Sequence, residues 1–154
     1  MVVSRPTGRL DEEDSSGFVS DPNTIPDCTT EKKEEISETG DHQETVQKRD
    51  TPGQATLDTT PQQWTDAQNK AEKTAQDKAR QNRKLSISNL LDKYKCSDSN
   101  CPDLVLTTKL FDLEKVYSQK YTKNFDGTNT WRERGWEASY KARATVVVKC
   151  GRVI

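Results

Sequence analysis

The chain has 154 residues, a net charge of −1 and 32% charged side chains, so it has room for one ordinary domain at most. Leu, Ile, Val and Phe make only 26 of the 154 residues, near 17%, below the roughly 20% at which disorder is expected. No apolar run approaches the ~18–20 residues that span a bilayer, and the opening MVVSRPTGRLDEEDSSGF lacks the apolar core of a secretory signal, so neither a membrane protein nor a secreted one is expected.

Residues 1–58 read as a disordered acidic tail. The first fifty residues carry 13 acids against 6 bases, and Pro6, Pro22, Pro26, Pro52, Gly8, Gly17, Gly40 and Gly53 punctuate a polar background. Apolar residues such as Leu10, Phe18, Ile25, Ile36 and Val46 follow no period there. Residues 59–84 predict a solvated helix. Thr60 can cap its first turn, Pro61 suits the first helical position, and Ala67, Ala71, Ala75 and Ala79 recur every four residues among good helix formers. The alanine stripe is small, which favours a single polar helix over a coiled coil, with Trp64 its one bulky docking residue.

Residues 85–121 hold the densest apolar patch, and residues 122–154 predict a turn-rich linker followed by a strand-like YKARATVVVKCGRVI without an evident partner. Basic residues outnumber acids in this back half, opposite in sign to the tail, which is compatible with an acidic or nucleic-acid partner or with internal attraction. The expected fold class is therefore mostly intrinsically disordered, with one long polar α-helix and a small α(+β) C-terminal module. The abrupt end after the strand also fits a truncated or decaying gene product.

The stretch YKCSDSNCPDLVLTTKLFDLEKVYSQKY, residues 94–121, resembles a degenerate two-cysteine, two-histidine zinc finger of fungal type. Tyr94 stands two residues before Cys96, Cys101 follows after four intervening residues, and Leu106 and Leu113 take the places of the residues packed beneath the metal. The resemblance implies zinc held by Cys96 and Cys101, a helix over TTKLFDLEKVY, and DNA contacts from residues 108–115. Val116 and Tyr121 occupy the two histidine positions. A decayed finger, a coincidental apolar patch, and a site completed by Cys150, Asp103, water or another chain all remain open. With no export signal, the four cysteines are expected in a reducing compartment as free thiols or metal ligands.

Upstream, NRKLSISNLLDK sets Ile87, Leu90 and Leu91 on one helical face, the pattern with which short helices enter partner grooves. Arg83 lies three residues before Ser86, a phosphorylation candidate whose added charge would switch that docking. Lys109, Lys115, Lys120 and Lys123 allow weak, non-specific attraction to nucleic acid. Catalysis is not expected: the sole histidine, His42, falls in the tail, and no glycine-rich phosphate loop occurs. The functional expectation is a monomeric intracellular, preferentially nuclear, protein that binds a protein partner through residues 85–94. A zinc-dependent DNA-binding protein is the alternative.

Overall fold

The computed structural model describes residues 23–152. The first 22 residues of the expected tail, and residues 153–154, lie outside that range. The expectation of a mostly disordered chain is overturned: 48% of the described residues are strand, mostly in an antiparallel sheet, with one helix. The elements in chain order are β1 (Thr24–Ile25), β2 (Glu31–Lys48), α1 (Pro61–Lys93), β3 (Lys95–Cys96), β4 (Asp103–Leu110), β5 (Glu114–Asn124) and β6 (Trp131–Gly151). The main sheet runs in the order β2–β6–β4, with β5 also paired to β6. The described residues divide into two compact units. The larger comprises Lys33–Asn89 and Thr108–Val146; the smaller comprises the segment up to Lys32, then Leu90–Thr107, then the segment from Val147 onward.

In the larger unit, the four alanines expected on a solvated helix are buried, together with Ala138, Tyr140 and Ala142 of β6. The reason is size. Four small side chains on one helix face let the backbone of α1 approach the sheet closely, so the contact needs few large apolar residues. Gly40 on β2 shows how close: an added Cβ would fall on the Ala79 amide nitrogen and the Ala75 carbonyl oxygen. Leu113 and Trp136 pack against the margin of the same core. The Trp136 indole donates to Ser118 Oγ at 2.7 Å, and that hydroxyl donates to Glu72 Oε2 at 2.5 Å.

The helix does not stop at residue 84 but continues to Lys93, absorbing the LSISNLL segment. Thr60 and Gln63 cap its start reciprocally: Gln63 N donates to Thr60 Oγ1 at 3.3 Å and Thr60 N to Gln63 Oε1 at 2.7 Å. Strand β2 is built from what was expected to be tail. Its side chains alternate strictly between exposed and half-buried along most of its length, the period of a strand with one covered face. The half-buried set (Lys32, Glu34, Ile36, Glu38, His42, Glu44, Val46 and, out of step, Gln47) is mostly polar, so its aliphatic stems supply the cover.

The segment expected to form the finger's helix forms β4 and β5 instead, separated by residues 111–113. Phe111 N donates to Arg143 O in β6 at 3.1 Å, which ties that break to the sheet. The expected linker is a hairpin turn. Gly127 takes φ of 71°, Phe125 N donates to Thr130 O, and Glu114↔Lys141 through Asn124↔Trp131 pair across it. The C-terminal strand, expected to lack a partner, is the central strand of the sheet.

The described part of the smaller unit holds the β1–β3 pair, the start of β4 and the end of β6. β1 and β3 pair in parallel through Thr24↔Lys95 and Ile25↔Cys96. Ile25, Tyr94, Val148 and Cys150 are buried there. Two disulfides, Cys28–Cys101 and Cys96–Cys150, supply what so small an apolar core does not. Between β1 and β2, Asp27 accepts hydrogen bonds from the amides and hydroxyls of Thr29 and Thr30, which fixes the turn after Cys28. Those bonds, the Thr30 hydroxyl foremost, hold its carboxyl down at about 2.

Candidate functional site: a cationic depression on α1 and β4

Cys96 and Cys101, expected as paired zinc ligands, are not bonded to each other and offer no thiolate. Cys96 is joined to Cys150 and Cys101 to Cys28, and no cysteine is free. Cys28, Asp98 and Cys101 lie together, with the Asp98 carboxylate 3.7 Å from Cys28 Sγ. Because both sulfurs there are oxidised, this cluster presents one carboxylate rather than a zinc ligand set. Val116 is half-exposed on β5, and Tyr121 donates to a carboxylate; neither faces the cysteines as a ligand.

The I-x-x-L-L face is not available as a unit. Leu90 is only 5% exposed, whereas Leu91 is 50% exposed and Ile87 half-buried. A partner groove therefore cannot take all three. Ser86 Oγ donates to Glu38 Oε2 at 2.7 Å, so the candidate phosphorylation hydroxyl is engaged with a carboxylate of β2. The four lysines expected to meet nucleic acid each have a neighbour within the fold. Lys109 and Lys120 lie over the Phe111 and Trp64 rings, while Lys115 and Lys123 face Glu72 and Glu133.

His42, once assigned to a tail, stands on β2. Lys78 Nζ lies 3.4 Å from its Nδ1, and its Nε2 lies 3.0 Å from Glu44 Oε1. Lys70 reaches the other Glu44 oxygen at 3.3 Å. Burial raises the Glu44 pKa, but the bonds from His42 and Lys70 outweigh it and leave the carboxyl below its ordinary range. Farther along the sheet, Tyr121 donates to Glu133 Oε2 at 2.6 Å. Burial first, then that bond, pushes the phenol up to about 12. The same bond, against some burial, holds Glu133 low, with Lys123 adding to it. At these places acids and bases satisfy one another within the fold.

One surface differs. A depression of about 340 Å³ is lined by Arg80, Arg83, Lys84 and Ile87 of α1 and by Thr108 and Leu110 of β4, all within the larger unit. The spacing of residues 80, 84 and 87 sets one charge, a second charge and an apolar group along one side of the helix. Leu110 is 58% exposed, a large apolar side chain left at the rim. Arg83 is 8% exposed and spends one guanidinium nitrogen on two backbone carbonyls, Phe111 O at 3.0 Å and Arg143 O at 3.1 Å. Those carbonyls satisfy its hydrogen bonds without cancelling its charge. Arg80 shares the exposed Asp77 at 3.3 Å, and Lys84 has no ion-pair partner among the described residues.

The depression thus combines an apolar floor with excess positive charge. The sequence reading passed over it because its two halves are far apart in the chain. Only the Arg80, Lys84, Ile87 spacing was there to find. No helix among the described residues is long and apolar enough to cross a membrane. No protein-family model, curated protein or solved structure matches this chain.

Proposed function

We propose that this chain is a disulfide-stapled binding protein of an oxidising compartment, acting through its folded surface and not by catalysis. The observation that carries the reading is the pairing of all four cysteines into two disulfides within the smaller unit. Such bonds persist outside the reducing cytosol and nucleus, which argues against a nuclear role. A role in binding draws support from the way the charged side chains of β2 and β5 are spent on neighbours. His42, Glu44 and Lys70, which line two recesses beside β2, are bonded to one another, and Tyr121 is bonded to Glu133, so these acids and bases are engaged within the fold.

The test is to offer the disulfide-intact chain to an array of secreted and cell-surface protein domains. A discrete partner, bound saturably by the chain and not by its reduced and alkylated form, is expected. Saturable binding by no domain on the array would overturn the reading.

A further inference from the structure

We infer that the depression between α1 and β4 receives an acidic protein segment carrying one bulky apolar side chain. The apolar group seats on Ile87 and Leu110, and carboxylates beside it meet Arg80 and Lys84. This deepens the binding role proposed above and rests on it.

Charge complementarity selects the sign of the occupant. Three cations line the depression, and among the described residues the only carboxylate paired with any of them is the exposed Asp77. Arg83 cannot turn away, because two carbonyls hold its guanidinium, so its field stays directed at the same place. The apolar lining selects the kind of occupant. A sulfated polysaccharide or a nucleic-acid backbone would satisfy the cations but leave Ile87 and Leu110 uncovered. A small-molecule pocket encloses most of its ligand's surface. Here six residues from two elements line a depression that is open to solvent, which suits a side chain presented by a larger partner whose own body covers the rest. Carboxylates beside one bulky apolar group are what such a segment must present.

The probe is a fluorescein-labelled peptide with a central phenylalanine flanked on each side by two glutamates. It is titrated with the full, disulfide-intact chain and followed by anisotropy. Three controls accompany it: the same peptide with alanine at its centre, the same peptide with lysines for glutamates, and heparin as competitor. Saturable binding is expected of the first peptide alone. Lys84→Glu and Leu110→Gln are each expected to weaken it by roughly tenfold or more.

Both substituted positions are exposed, and an unchanged circular dichroism spectrum with no free thiol verifies the fold of each variant. Two results would overturn the inference. One is no saturable binding; the other is equal binding of the phenylalanine and alanine peptides with full displacement by heparin, which reports attraction to any polyanion. The two proposals fail separately. An array partner that binds the Lys84→Glu and Leu110→Gln variants as tightly as the parent sinks the depression while leaving the binding role standing.

Discussion

Gly40 is the residue on which the helix–sheet contact turns. Any side chain there would overlap the backbone of α1 at Ala75 and Ala79, so Gly40→Ala forces the strand and helix apart. Overpacking of this kind costs about 1–3 kcal/mol, and a denaturant titration of the disulfide-intact variant should show the loss as a lower midpoint. Tyr121 and its partners set the pH response. A phenol raised from 10.0 to about 12 keeps its proton longer in the folded chain than in the unfolded one. Its stabilisation is therefore complete below the unfolded value and is lost as pH rises toward the folded one.

The carboxylates run the other way. Glu44 and Glu133 lie below their ordinary 4.5, so their contribution is present above that pH and is lost as pH falls through their folded values. Urea midpoints should thus drop on both sides of a neutral plateau. Tyr121→Phe should flatten the alkaline fall between about pH 10 and about pH 12. An alkaline limb unchanged in that variant would remove Tyr121 from the account.

At the scale of elements, the start of α1 was legible because capping is a local code. Thr60, Pro61 and Gln63 stand within four residues, and the structure uses Thr60 and Gln63 reciprocally. Thr60→Ala should cost about 1 kcal/mol, read as a fall in thermal midpoint with the native spectrum retained. The burial of the helix was not legible. An alanine stripe looks the same whether it faces water or a sheet; only the arrival of Gly40, Ala138 and Ala142 decides.

Strand β2 escaped notice for a related reason. Its two-residue period is carried by Lys, Glu and His, whose stems are covered while their heads reach neighbours, so a search for apolar residues finds no pattern. The helix expected over 107–117 failed on tertiary grounds. Its polar–apolar rhythm fits either period over so short a run, and pairing with β6 selects the strand.

For the whole molecule, the misreading came from sequence proximity. Cys96 and Cys101 sit near each other in the chain and suggest a shared ligand, yet each bonds a cysteine brought from far away, 54 residues distant for Cys96 and 73 for Cys101. Hydrophobic content then misled in the same direction. A chain with so few large apolar residues looks unable to fold when the alanine–glycine contact and the cross-links are not counted. The candidate site was no more legible, since Leu110 and Arg80 meet only after β4 returns to the helix. The cross-links should carry much of the smaller unit's stability. Replacing Cys96 and Cys150 together by serine should cost roughly 2–5 kcal/mol, measured by thermal denaturation without reductant.

The most direct test of the account is non-reducing peptide mapping by mass spectrometry, on chain trapped with an alkylating agent as it leaves the cells that make it. The expected map shows no alkylated cysteine and two linked pairs, Cys28 with Cys101 and Cys96 with Cys150. Four alkylated thiols, or a Cys96–Cys101 link, would contradict the staple and with it the proposed compartment and role.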